Sequence, residues 1–250
     1  MEHCLRSFCS NDDELVMFVA KKFLYLVVLS APFRSSKLYH SLIKTLFMKK
    51  PAIFLFSLLL FSFTSIRPGA LTDQERKVAT DLLASTEQGV YDAIKGLSDA
   101  QLNFKPAPDR WSVLECVKHI ATTEQALWQM TDGAMKETAT AEKKAAVKMT
   151  DDQVIKALED RSHKVKTAPQ MEPQNTPYKS LAEALESFKT NREKLINYVK
   201  TTNDDMRSHV TTMTFASFDC YQMVLFIGAH SNRHTQQINE VKADPNFPKN

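Results

Sequence analysis

The chain has 250 residues and a formal net charge of +3, and that charge is unevenly distributed. Residues 1–70 carry nine Lys or Arg against four Asp or Glu, which leaves residues 71–250 with a slight acidic excess. Nucleic-acid binders depend on basic surfaces that contact phosphates, so this balance gives no support for that class of protein. Only five glycines are present, which disfavours a glycine-rich phosphate-binding loop and favours long helices over a turn-rich β fold.

A candidate export signal lies near the start of the chain. Met48-Lys49-Lys50 precedes an apolar run from Ala52 to Phe63, which is shorter than the ~20 residues that a membrane-spanning helix needs. A basic start followed by a short apolar run is typical of a signal peptide. Residues 48–70 are therefore predicted to be a signal peptide, with Ala70 as an acceptable last residue before cleavage.

The segment before this signal, residues 1–47, has two interpretations. It is an over-extended N-terminal segment if translation starts at Met48, which is the interpretation we favour. The alternative is a membrane-associated extension, in which Lys21 and Lys22 would make a central membrane span costly. We expect an exported protein, periplasmic or secreted, with no stable membrane anchor after the signal is cleaved.

Residues 71–250 are predicted to form one all-α domain, because four helix starts share one signature. In each, Ser or Thr is followed three residues later by Glu or Gln, so that the two side chains can close a capping box. The four pairs are Thr72–Glu75, Ser112–Glu115, Thr150–Gln153 and Ser180–Glu183.

Apolar residues spaced three and four apart predict long helices after these starts. The segment 131–149 is rich in Ala, Lys and Thr and is expected to be mobile, and prolines break the chain again between residues 169 and 177. The predicted helices are about Asp73–Lys95, Val113–Met130, a shorter Asp151–Lys166, Leu181–Lys200 and Phe218–Val241.

Two histidines in the last predicted helix can chelate one ion. His230 and His234 are four residues apart, so both imidazoles project from one face, and that face also carries apolar residues that point into the bundle. Buried histidines need polar partners, and a metal would satisfy them. The spacing alone also fits one core and one exposed histidine, and His119 on the second predicted helix by itself fits a satisfied core residue.

Three segments resemble the DinB-like superfamily (the DinB/YfiT type). They are LSDAQLNFKPAPDRW, WSVLECVKHIATTE and AHSNRHTQQINEVKADPNFP, and the resemblance covers about Leu71 to Pro248. It implies a four-helix bundle with long crossover connections, to which the pattern adds a short accessory helix. It also implies a metal site made by one histidine of the second helix and an HxxxH pair of the last helix. These positions match His119, His230 and His234.

Three neutral imidazoles leave open positions on a divalent ion. Zinc or nickel is the favoured ion, and iron or copper is also compatible with imidazole ligands. The resemblance implies a metal-dependent thiol transferase or hydrolase that acts on an unidentified small molecule, because characterised relatives have such activities. A homodimer is compatible with such a bundle.

Two other functions stay open at this point. In one, the domain is a non-catalytic metal-binding or stress-response bundle, in which the ion mainly holds the helices together. In the other, the histidines bind nothing. A di-iron carboxylate centre is set aside, because it needs Glu-x-x-His pairs, whereas Glu115 precedes His119 by four residues.

Two residues just before His119 have competing interpretations. Glu115 could orient His119 or act as a base, but its place in a capping box explains it equally well. Cys116 could be a fourth ligand or a small packing residue. Cys116 and Cys220 could pair in an oxidising compartment if their geometry permits it. The chain has no CxxC motif, so a cysteine-based zinc ribbon or redox site is not indicated.

Four further residues have expected roles. Gln237 continues the face of the histidine pair and could orient one of the two rings. Arg233 could hold an anionic substrate group or form a surface ion pair. His163 is placed in the short accessory helix and is expected to be solvated, and Trp111 is expected to be a core anchor.

Overall fold

The computed structural model describes residues 69–249, which belong to one compact unit. The proposed N-terminal segment 1–47, and all but the last two residues of the proposed signal peptide, lie outside the described residues. Among the described residues, none of the helices combines the length and the apolar character needed to cross a membrane. The elements are α1 Asp73–Ile94, α2 Asp99–Asn103, α3 Val113–Lys136, α4 Ala141–Ala146, α5 Asp151–Glu159, α6 Leu181–Thr201, β1 Val210–Thr212, β2 Ser217–Asp219 and α7 Cys220–Lys242.

The four long helices α1, α3, α6 and α7 form a four-helix bundle, as predicted. α7 packs against α1 and α3, and α6 packs against the same two helices, so α1 and α3 lie diagonally opposite. The Tyr221 hydroxyl donates to the Glu75 carbonyl and Lys242 Nζ donates to the Ala93 carbonyl, which shows that α1 and α7 run parallel. Arg76 donates to the Val199 carbonyl, so α6 runs antiparallel to α1.

The connection between α3 and α6 is the long crossover of this fold. It contains α4, the accessory helix α5, which packs on α7, and two single-turn 3-10 helices, Pro169–Met171 and Pro173–Asn175. The 3-10 turns contact α3. The crossover therefore passes over the α3 and α7 side of the bundle.

Three of the four predicted capping boxes are complete. At Thr72, Ser112 and Thr150 the side chain accepts from the backbone N–H three residues later, and the Glu or Gln there accepts from the cap N–H. Ser180 caps α6, but Glu183 accepts from the Lys179 N–H instead. Two further boxes, Ser98–Gln101 and Asp219–Gln222, start α2 and α7 and were not predicted.

Replacing Ser112 by alanine should lower the free energy of unfolding by about 1 kcal/mol, because the start of α3 loses its side-chain cap. Ser112 is buried, and its Oγ lies 3.2 Å from the Glu115 N. Urea denaturation measures the change. Thr140→Ala is the matched control: Thr140 caps α4, which has no buried residue, so its loss should leave global stability almost unchanged. Equal effects of the two variants would contradict this account.

Some predicted boundaries are wrong. α3 runs to Lys136 rather than to Met130, because Thr131 and Ala134 are buried and continue its inward face. The segment expected to be mobile contains this end of α3 and the whole of α4. The hairpin of β1 and β2, with register Val210 to Asp219, was not predicted.

A buried ion pair ties the bundle together near its middle. Arg192 on α6 makes two hydrogen bonds, of 2.9 and 2.7 Å, to the carboxylate of Glu124 on α3, and their exposed side-chain fractions are 0% and 2%. The same guanidinium donates to the Leu83 carbonyl and to the hydroxyls of Thr86 and Ser231. Arg192 therefore contacts the other three long helices.

Candidate metal centre

The three predicted histidines converge on one point between α3 and α7. Nε2 of His119 lies 3.3 Å from Nε2 of His230, which lies 3.2 Å from Nε2 of His234. Their candidate ligand nitrogens all lie within 4.8 Å of one another. Ligands about 2.0 to 2.1 Å from a tetrahedral zinc ion are about 3.3 to 3.4 Å apart, so these spacings fit one ion. The assignment of these residues as metal ligands stays a prediction.

Helix geometry explains why the rings meet. His230 and His234 are one turn apart on α7. α7 approaches α1 closely just before this pair, since a Cβ added at Gly228 would lie 2.9 Å from Leu82 Cγ. A larger residue at position 228 would press α7 away from α1 beside the site. His119 faces the pair from the neighbouring helix α3.

The hydrogen bonds of the Nδ1 atoms fix the tautomers of two rings. His119 Nδ1 lies 2.7 Å from the Met171 carbonyl oxygen, and His234 Nδ1 lies 2.9 Å from Gln237 Oε1. Both oxygens are acceptors, so both Nδ1 atoms carry the proton and both neutral rings present an unprotonated Nε2. These two Nε2 atoms lie 3.3 and 3.2 Å from Nε2 of His230, so the three nitrogens meet at one point.

With these tautomers, the three rings cannot supply a hydrogen-bond donor to both unprotonated Nε2 atoms. His230 Nε2 lies within hydrogen-bond distance of the other two Nε2 atoms, but it can donate a proton to only one of them. The Thr123 hydroxyl, 3.4 Å from His119 Nε2, is a long donor to one of these nitrogens, whereas a cation at the centre would satisfy all three nitrogens at once. The donor set therefore fits a divalent transition metal.

The environment favours the neutral, ligating form of each ring. Burial lowers the pKa of His119, and the bond to the Met171 carbonyl only partly opposes this. Burial, reinforced by the neighbouring imidazoles, holds the pKa values of His230 and His234 well below the ordinary value. All three rings are therefore neutral at neutral pH, which is the state that binds a metal.

Aromatic rings and a hydroxyl surround the cluster. The Trp111 ring stacks on His234 with 5.7 Å between centroids and lies 4.7 Å from the His119 ring. Trp111 therefore packs directly against the candidate ligands, which adds to its predicted role as an anchor. Thr123 Oγ1 lies 3.4 Å from both ring nitrogens of His119. His230 is partly exposed, whereas the exposed fractions of His119 and His234 are 2% and 7%.

Glu115 and Cys116, which precede His119, have structural roles rather than the roles of a base or a metal ligand. Glu115 closes the capping box of α3 and forms an ion pair of 2.9 Å with Lys105. Cys116 is fully buried, and burial raises the pKa of its thiol. Cys116 does not belong to the histidine group, and neither Cys116 nor Cys220 forms a disulfide among the described residues.

Of three residues assigned roles from the sequence, Gln237 behaves as predicted, whereas Arg233 and His163 do not. Gln237 does orient a ring, since its Oε1 accepts from His234. The surface ion pair considered for Arg233 does not match the structure, in which Arg233 is buried and donates to the carbonyl oxygens of Leu158, Asp160 and His163. His163 lies in the crossover rather than in a helix, because α5 ends at Glu159.

Sequence reasoning missed two contributors to this site. The Met171 carbonyl that orients His119 belongs to a backbone, so no residue type marks it. Arg161, which follows α5, donates from Nη1 to Gln237 Oε1 at 3.5 Å and from Nε and Nη2 to the Glu240 carboxylate. In the sequence Arg161 is one charged residue of the predicted helix Asp151–Lys166, and nothing there marks it as a contact of Gln237.

Comparison with known proteins places these residues in a family. The family model described as the DinB superfamily matches residues 82–238, which include all three histidines. The uncharacterized protein YuaE of Bacillus subtilis is 27% identical over 153 residues, which are 61% of this chain and 90% of that protein.

A solved structure similar to this chain is that of YfiT from Bacillus subtilis, described as a probable metal-dependent hydrolase with an unusual four-helix bundle topology. Its TM-score is 0.48 at 14% identity, and the match covers 69% of this chain and 89% of that one. The family match alone spans more than half of the 250 residues. The chain belongs to the DinB superfamily.

Proposed function

We propose that this chain binds one divalent metal ion through the Nε2 atoms of His119, His230 and His234 and presents it to a small-molecule substrate. The observation that carries the proposal is the convergence of the three Nε2 atoms, two of which lie 3.3 and 3.2 Å from the third. Zinc or nickel is the proposed ion, and iron or copper would also suit three imidazoles.

The proposed reaction is a metal-dependent hydrolysis or thiol transfer. When bound, such an ion supplies Lewis acidity, which lowers the pKa of a water or thiol beside it. The protein orients the ligands and shields them on one side. The Met171 carbonyl and Gln237 hold two rings in their ligating tautomers, and the Trp111 ring packs against two of the rings. His230 is the least buried of the three histidines, so we place substrate entry on its side of the cluster.

Metal content tests the proposal directly. The full chain, purified without a metal-binding tag, should contain about one equivalent of a divalent transition metal by elemental analysis. The loaded protein should hydrolyse an ester substrate, or join a thiol to an electrophile, and should lose that activity with a chelator. Purified protein that stays metal-free after incubation with zinc and with nickel would overturn the metal site.

A second candidate is a non-catalytic protein in which the ion holds α3 and α7 together. The burial of His119 and His234 supports it, because a closed site is typical of structural zinc. Cobalt-substituted protein separates the two candidates. A change in its visible spectrum on titration with azide or a small thiol indicates an open position and favours the enzyme. An unchanged spectrum favours the structural role.

Export is part of the proposal and rests on the sequence before Leu71. A chain expressed from Met48 in a bacterial host should appear outside the cytoplasm with Leu71 as its first residue, which N-terminal sequencing would detect. Replacement of Lys49 and Lys50 by glutamate should reduce export, because the basic start of the signal is lost. A product that keeps residues 48–70 inside the cell would contradict this.

A further inference from the structure

Arg161 lies beyond the histidines but is connected to one of them through Gln237. The guanidinium Nη1 approaches Gln237 Oε1 at 3.5 Å, and the same oxygen accepts from His234 Nδ1 at 2.9 Å. Two donors therefore converge on one amide oxygen. Arg161 itself is held by Glu240, whose carboxylate accepts two bonds of 2.9 and 2.6 Å.

The orientation of the Gln237 amide decides the tautomer of His234. In the observed orientation, the amide oxygen faces Nδ1, so the ring proton stays on Nδ1 and Nε2 is free to bind a metal. If the amide rotated by half a turn, its NH₂ group would face Nδ1 and donate to it. The ring proton would then move to Nε2, and His234 could no longer ligate through that atom.

The guanidinium disfavours the rotated amide. A rotated Gln237 would turn its NH₂ donors toward the donors of Arg161, and both groups carry positive partial charge. Glu240 prevents Arg161 from turning away, because the bidentate bond fixes the plane of the guanidinium. The contact of 3.5 Å is long for a hydrogen bond, but this repulsion does not need a short one.

We propose that Arg161 is a positioning residue, which selects the metal-binding tautomer of His234 by fixing the amide of Gln237. The inference rests on the proposed metal site. It assigns a role to the part of the crossover that follows α5, from which Arg161 reaches α7. Arg161 does not touch the metal position in this account and acts only through Gln237.

The test compares zinc affinity across matched variants of the full chain, by competition with a chromophoric chelator. Arg161→Met should lower the affinity about tenfold, the lower end of what loss of an outer hydrogen-bond partner costs. The direction of the affinity change is informative, because removing a positive charge near a cation should by itself tighten zinc binding. Arg110→Met is the control: Arg110 lies 3.9 Å from the same Glu240 carboxylate. Its loss should leave zinc affinity unchanged or slightly higher.

A second pair of variants tests whether Arg161 acts through the amide of Gln237. In Gln237→Glu, both side-chain oxygens are acceptors, so rotation cannot present a donor to His234. Adding Arg161→Met to this variant should cause no loss of zinc affinity. A tenfold loss in both backgrounds would overturn the proposal, because Arg161 would then act by another route. Equal zinc affinity of Arg161→Met and the unmodified chain would overturn it as well.

The tautomer can also be read without metal. In histidine-labelled apoprotein, ¹⁵N chemical shifts distinguish a protonated from an unprotonated ring nitrogen. Nε2 of His234 should be unprotonated in the unmodified chain and partly protonated in Arg161→Met. Unchanged shifts in Arg161→Met would overturn the proposal. If the unmodified chain binds no zinc, the proposed function fails, whereas this measurement still tests the role of Arg161.

Discussion

Alanine at any one of positions 119, 230 and 234 is expected to abolish tight binding of a divalent ion. Each histidine supplies one of three nitrogens within 4.8 Å of one another, so each variant leaves only two ligands. Loss of an outer hydrogen-bond partner lowers metal affinity by about 10- to 100-fold, and loss of a ligand should lower it further. Isothermal titration of chelator-treated protein with zinc measures the change.

The melting temperature provides a second measurement of the same effect. A ligand that binds only the folded state stabilises it by about 2.7 kcal/mol at a hundred times its dissociation constant, so zinc should raise the melting temperature of the unmodified chain. This increase should disappear in the three alanine variants. His163→Ala and His209→Ala are the controls, since neither residue belongs to the cluster, and both should keep it. A zinc-dependent increase that survives in His119→Ala would contradict a site shared between α3 and α7.

Arg192→Met is expected to lower the free energy of unfolding by about 3 to 5 kcal/mol, because it leaves a buried carboxylate without a partner. Glu124 is 2% exposed and takes two of the five hydrogen bonds that Arg192 donates. Burial raises the pKa of Glu124, which Arg192 opposes, so the variant should also take up a proton on that carboxyl. Urea denaturation at pH 7 measures the loss.

A double variant shows whether the loss comes from the unpaired charge. Arg192→Met combined with Glu124→Met removes both charges, and an apolar pair of similar size can replace a buried ion pair at little cost. The double variant should therefore be more stable than Arg192→Met alone. Lys77→Met is the exposed control, because its pair with Asp81 lies on the surface and should contribute less than about 1 kcal/mol. A double variant less stable than the single one would show that the charges themselves are needed.

The sequence predicts the elements of this fold wherever local chemistry decides them. The complete boxes at Thr72, Ser112 and Thr150 involve only residues three apart, so their signature can be read without tertiary information. The same signature at Ser98 was available and was missed, because α2 is too short for an apolar period. The convergence of the three histidines followed from the family resemblance, since spacing alone linked only His230 and His234.

Features that depend on distant parts of the chain were not predictable in the same way. The end of α3 is set by what covers Thr131 and Ala134, and the Met171 carbonyl reaches His119 only through the path of the crossover. The buried ion pair of Arg192 and Glu124, by contrast, is indicated by the sequence. Arg192 lies four residues after the buried Phe188 and three before the buried Leu195, which places a charge on an inward face. Such a charge requires a buried partner.

The separation of the ligands along the chain sets the order in which the site can be assembled. His119 and His230 are 111 residues apart, and α6 must be synthesised between them. A nascent chain on the ribosome cannot close the cluster until α7 has emerged. A chain that crosses a membrane before it folds would therefore take its ion from the compartment that it enters, and the metal available there would decide which ion it carries.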